Sequence, residues 1–151
     1  MADVLTALLD AIAERAGTVD GIKRSFYPAP NTLNDATLPA AIVYSGSPAG
    51  ETGISRDMAG QVWTPSVALQ IVGKRVGNGP QEFGNIDRLI VPVVDAFDQP
   101  LAVTVNGRKQ HIDRCIVTGY RGAMILDWGE KLRFYGAEIY LSIKFRRPAG
   151  G

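Results

Sequence analysis

The chain has 151 residues, 46% of them hydrophobic and 21% charged, with a net charge of +1. That bounds it to one globular domain, 1–151, and excludes both general disorder and a fold held to nucleic acid by overall basicity. No apolar run reaches the ~18 to 20 residues of a membrane span, the N-terminal stretch carries Asp3, Asp10 and Glu14 where a secretory or transit peptide should not, and the lone Cys115 excludes an internal disulfide.

The first expected element is a helix from about Val4 to Ala16. Val4, Leu8 and Ile12 recur every four residues with Leu5, Leu9 and Ala16 beside them, which makes one apolar stripe. Asp3 is placed to cap its start. Gly17 is placed for the left-handed residue that ends a helix, and Arg15 for the C-terminal dipole. Ile22–Tyr27 reads as a short strand, stopped by Pro28 and Pro30. Leu38–Ser45 is a buried strand. Residues 46–60 hold Gly46, Gly50, Gly53, Gly60 and Pro48 without sustained periodicity, and read as a long exposed loop or β-arm. Fixing such a segment is entropically costly, so it is expected to order only against a partner.

Gln61–Lys74 alternates with period two, which predicts a strand with one face on the core. Pro65 inside it predicts an edge position or a bulge. A second helix is expected from Pro80 or Gln81 to Phe97, with a kink at Pro92. Leu101–Val105 leads into Asn106-Gly107, a type I′ hairpin signal. Ile112–Tyr120 reads as a strand, and Gly122–Trp128 as another strand or an irregular return. Phe134–Phe145 alternates throughout and predicts a long strand. Helix, strands, helix, strands, with no βαβ repeat, predicts an α+β fold: two layers, with two helices packed on one face of a mostly antiparallel sheet.

The chain offers little catalytic chemistry. His111 and Cys115 lie four apart, but two ligands do not make a zinc site, and there is no CxxC or HExxH. No serine stands in a GxSxG context. Gly73–Gly79 lacks the GxxxxGK[ST] spacing of a phosphate loop. Asp95 with Asp98, and Asp127 with Glu130, read as solvated chain ends and turns, since acid–base work needs two carboxyls held in a cleft. Charge is polarised: residues 1–100 hold seven Lys or Arg against eleven Asp or Glu, and residues 101–151 hold nine against four. Lys144, Arg146 and Arg147, with Lys131 and Arg133 nearby, form a basic C-terminal cluster.

Taken in order, the helix MADVLTALLDAIAERAG, the strand Leu38–Val43, the long loop, the strand VALQIVG, the helix FGNIDRLIVPVVDAF and the closing stretch Phe134–Ile143 with its YGA resemble the tail terminator, or tail completion, proteins of tailed bacteriophages, similar to the minor tail protein U family. The resemblance spans nearly the whole chain; Pro92 and the extended 46–60 segment depart from it. It implies a structural virion protein, assembled in the host cytoplasm, that forms a ring, usually hexameric, on the head-proximal end of the tail tube. The ring ends tube polymerisation and joins tail to head. Its partners would be further copies of itself, the tail tube protein, the head-closure protein and passing genomic DNA without sequence specificity. No catalysis and no cofactor are expected. Glu51, Arg56, Asp57 and Trp63 are the candidate contacts to neighbouring subunits or tube, and Lys144, Arg146 and Arg147 the candidate lumen or inter-ring cations. A head-closure or connector protein on the capsid side is the alternative, and a small enzyme a distant third.

Overall fold

A computed structural model describes residues 4–45, 54–56, 62–77, 79, 81–110, 112–129 and 132–146, with the backbone alone at 54–56, 62 and 63. Helix α1 (Val4–Gly17) buries Leu8, Leu9, Ile12, Ala13 and Ala16, the stripe its spacing predicts. Burying each of the larger side chains contributes about 1.5–3 kcal/mol. Two details at its end differ from expectation. Gly17 is not left-handed; that conformation belongs to Gly21, at φ 98°. Gly17 is small because a Cβ there would lie 2.7 Å from Ser25 Oγ. Arg15 stands in the last turn as expected, but its guanidinium hydrogen-bonds the Ala96 and Pro100 carbonyls, while Thr18 Oγ1 donates to the Arg15 carbonyl at 2.7 Å. Asp3 lies outside the described residues.

After α1 come β1 (Arg24–Phe26), a 3-10 turn (Asp35–Thr37), β2 (Ala40–Ser45), β3 (Ile54–Arg56), β4 (Val62–Arg75), α2 (Glu82–Ala96), β5 (Val103–Val105), β6 (Arg108–Gln110), β7 (Ile112–Trp128) and β8 (Leu132–Arg146). The main sheet runs β1-β2-β4-β8-β7, with β3 also on β4. Among the described residues only the β1–β2 pair is parallel. Since β8 occupies one side of β4, β2 and β3 share the other. Both run antiparallel to β4, so β3 continues the line of β2 after residues 46–53. The fold is α+β, with both helices packed on one face of a mostly antiparallel sheet.

β4 is central and keeps its register to β8 across Trp63–Ser66, so neither the edge position nor the bulge inferred from Pro65 holds. The physical constraint is met another way: the ladder to β8 registers Trp63 and Ser66 but skips Thr64 and Pro65, and on the other side β2 reaches only to Val67 before β3 takes over. The missing N–H thus falls at a gap in the pairing with β8, while on the other side Pro65 is the register partner of Ile54. Nor is β4 buried on one face alone. Ala68, Gln70 and Val72 are buried opposite Val67, Leu69 and Ile71.

That is because the sheet has two cores. The first lies under the helices and joins α1, Ala41, Val43, Leu69, Ile139, Leu141 and the α2 residues Ile86, Ile90 and Val93. The second, on the opposite face, joins Leu33 and Leu38 of the 27–38 connection to Ala40, Ile42, Val72, Leu126 and Phe134, with Tyr44, Trp128 and Leu132 packed against it. α2 runs unbroken through Pro92. Pro92 and Arg88, whose carbonyl loses its donor, are both exposed, so water can satisfy that carbonyl. Asn106 (φ 52°) and Gly107 (φ 79°) form the expected hairpin turn between β5 and β6, which make a separate two-stranded sheet.

Candidate functional site

The largest difference from the sequence reading is β7. Ile112–Tyr120 and Gly122–Trp128 are one strand of 17 residues, pairing with β8 along its length. Three register shifts break its alternation, between Ile112 and Arg114, Val117 and Gly119, and Arg121 and Met124. At the last, Ala123 takes a positive φ of 52°. Each bulge adds one residue and reverses which face the next side chain meets. Cys115, Val117, Tyr120 and Ile125 therefore register with the helix-side residues Ile143, Leu141, Ile139 and Tyr135. Arg114, Ile116 and Arg121 register with Lys144, Ser142 and Glu138 on the other face.

β7 forms one edge of the sheet. It exposes three large apolar side chains: Ile116 (42%), Tyr120 (62%) and Ile125 (37%). A long edge bearing apolar side chains is a template for pairing unless something covers it.

The helix-free face divides into two halves. One is covered by the 27–38 connection. At that end an open cleft of about 470 Å³ is lined by Ala29, Asn31, Tyr44, Asp127, Trp128 and Leu132. Trp128 Nε1 donates to the Asn31 carbonyl at 3.3 Å. Asp127 is ion-paired with Arg133 at 3.4 Å, both largely exposed, which gives little stability. Glu130, its sequence-level partner, lies outside the described residues.

At the centre of the face sits Glu138, only 2% exposed. Gln70 Nε2 donates to its Oε2 at 3.3 Å and the Tyr140 hydroxyl to its Oε1 at 3.2 Å. A buried carboxylate is tolerated when hydrogen bonds replace its water, and this one has two. Burial first, and the Glu138 charge second, hold the Tyr44 phenol above its usual range. Beyond Glu138 this face carries, among the described residues, exposed Ser66, Arg114, Ile116 and Arg146 and half-buried Lys144, with Arg121 exposed beside Glu138.

The residues singled out from sequence fall as follows. Lys144 and Arg146 stand on this open face of β8; Arg147 lies outside the described residues, as do Glu51 and Asp57. Arg56 and Trp63 are register partners across the β3–β4 ladder. Asp95 and Asp98 are exposed, at and just beyond the end of α2. Cys115 is half-buried on the helix side, and burial pushes its thiol up to about 11 against the opposing pull of Arg15. His111 lies outside the described residues. Among the described residues, no three His, Cys, Asp or Glu side chains are grouped to hold a metal ion, and no helix is long and apolar enough to cross a membrane.

Arg114 and Arg121 are the functional candidates that sequence reasoning missed. Their charge is plain in the sequence, but their face depends on the bulges, and alternation counted through Tyr120 gives no register to β8. The sequence matches no protein-family model and no curated protein.

Proposed function

We propose that the chain is a structural virion subunit that closes the head-proximal end of a phage tail tube as a ring and joins tail to head. The observation that carries this reading is the 17-residue edge strand β7, with Ile116, Tyr120 and Ile125 turned outward. An edge of that length and character is suited to a neighbouring protein. The opposite edge of the sheet, by contrast, is the three-residue β1. Two unlike edges favour a contact between different patches on adjacent copies, and such a contact gives a closed ring when its rotation closes. The order of elements along the chain, resembling the tail terminators, points the same way.

Incubation of the purified chain with polymerising tail tube protein, read by electron microscopy and native mass spectrometry, tests the reading. The expected result is tubes of arrested length with a ring of this chain at one end only. Tubes that grow without limit overturn it. Binding to the portal side of capsids, and not to tubes, assigns the chain to the head-closure or connector class instead.

A further inference from the structure

We propose that the cleft at the covered end of the helix-free face is a binding site for a neutral sugar, a pyranose ring seated on Trp128. The proposal does not depend on ring closure.

The floor of the cleft is aromatic and held in place. Trp128 packs against the second core and lines the cleft beside Ala29 and Leu132. Its Nε1–H donates to the Asn31 carbonyl at 3.3 Å. That bond satisfies the polar edge of the indole and leaves the rest of the ring as apolar surface. At about 470 Å³ the cleft falls within the ~300–1,000 Å³ of small-molecule sites.

Around that floor stand neutral polar groups. Tyr44, Asn31 and Thr32 all line the cleft, and among the described residues none of their side chains makes a hydrogen bond. Burial first, and the Glu138 charge second, raise the Tyr44 phenol, which keeps it a hydrogen-bond donor.

Charge around the cleft cancels. Asp127, the charged side chain among the described lining residues, pairs with Arg133 through Oδ1. Beyond Tyr44, Glu138 keeps its negative charge because its donors Gln70 and Tyr140 are neutral, and its register partner is Arg121. A cation or an anion therefore meets no net opposite charge.

These features select one class of ligand. A wholly apolar molecule would leave the three polar side chains without partners. A nucleotide would bring a phosphate that Asp127 repels. A pyranose has a C–H face to lie on the indole, and rim hydroxyls that both donate and accept. Those hydroxyls suit the Tyr44 phenol, the Asn31 amide, the Thr32 hydroxyl and the second carboxylate oxygen of Asp127.

The probes are the methyl glycosides of glucose, galactose, mannose and N-acetylglucosamine, titrated to about 50 mM into the isotope-labelled full chain and followed by NMR. The chain has two tryptophans, so the indole N–H signal of Trp128 is identified by its absence from Trp128→Phe. At least one glycoside should move that signal saturably, with a dissociation constant on the order of 1 mM. Tyr44→Phe and Thr32→Val should each weaken binding roughly fivefold, the loss of one neutral hydrogen bond. Tyr120→Phe, which alters an exposed phenol that registers on the helix side, should bind as the parent does. No response to any of the glycosides overturns the proposal. Unchanged affinity in both Tyr44→Phe and Thr32→Val, or an equal loss in Tyr120→Phe, also overturns it. Tighter binding of choline or of a sugar phosphate than of the neutral glycosides assigns the cleft to a charged ligand and overturns it as well.

Discussion

Replacing Gly136 by alanine puts a methyl group into a space that two neighbours already fill. Gly136 lies on β8 between Val72 of β4 and Met124 of β7, on the helix-free side. A Cβ there would press on Leu126 Cδ1, and would lie 2.8 Å from the carbonyl oxygen of Ile71 and 2.9 Å from Leu126 Cγ. Leu126 is held in the second core beside Val72 and Phe134, so its retreat displaces packed atoms. The Ile71 carbonyl belongs to the backbone of a central strand and can move only with the ladder. Overpacking of this kind costs about 1–3 kcal/mol, and the backbone contact puts Gly136→Ala at the upper end, about 2–3 kcal/mol. For a chain of this size that lowers the thermal midpoint by about 5–10 °C. Urea unfolding followed by circular dichroism measures the loss directly. Leu126→Ala alone should cost about 2–5 kcal/mol, while the double variant should cost at least ~1 kcal/mol less than the sum, because the smaller side chain makes room for the methyl. A Gly136→Ala variant within ~0.5 kcal/mol of the parent, or strict additivity in the double variant, would refute this account of the packing.

Three further outcomes can be checked. Arg15 Nη1 donates to the Ala96 carbonyl at 2.9 Å and Nη2 to that of Pro100 at 3.0 Å, so a side chain of α1 caps the C-terminus of α2; Arg15→Met should cost about 1.5–3 kcal/mol in urea unfolding, with Arg15→Lys recovering only part because it cannot fork between two carbonyls. With its thiol pushed up to about 11 from 9.0, Cys115 should react with iodoacetamide about 100-fold more slowly at pH 8 than an unperturbed thiol; because the native state keeps this proton after the unfolded chain has lost it, the group stabilises the fold below pH ~9, and that contribution should fall away as pH rises from about 9 to about 11. Gly84 is exposed in α2 and a Cβ there meets nothing within 4 Å, so Gly84→Ala should raise stability by about 0.5–1 kcal/mol in the same unfolding assay.

Local chemistry was enough to place much of the fold. The four-residue spacing of Val4, Leu8 and Ile12 made α1, the alternation of Phe134–Phe145 made β8, and Asn106-Gly107 made the β5–β6 turn, because each pattern acts within a few residues of itself. Tertiary structure decided what depends on register between distant segments. Pro65 pointed to an edge position or a bulge, and only the positions of β2, β3 and β8 show that it lies in a central strand, at a gap in the ladder to β8. Gly17 and Gly136 are small because Ser25, Ile71 and Leu126 approach them, and no local rule carries that information. Of the open face, Lys144 and Arg146 were readable from the alternation of β8, whereas Arg114 and Arg121 were not. Their placement rests on bulges, each of which moves every later side chain of β7 to the opposite face of the sheet, and a bulge is fixed by the strand beside it.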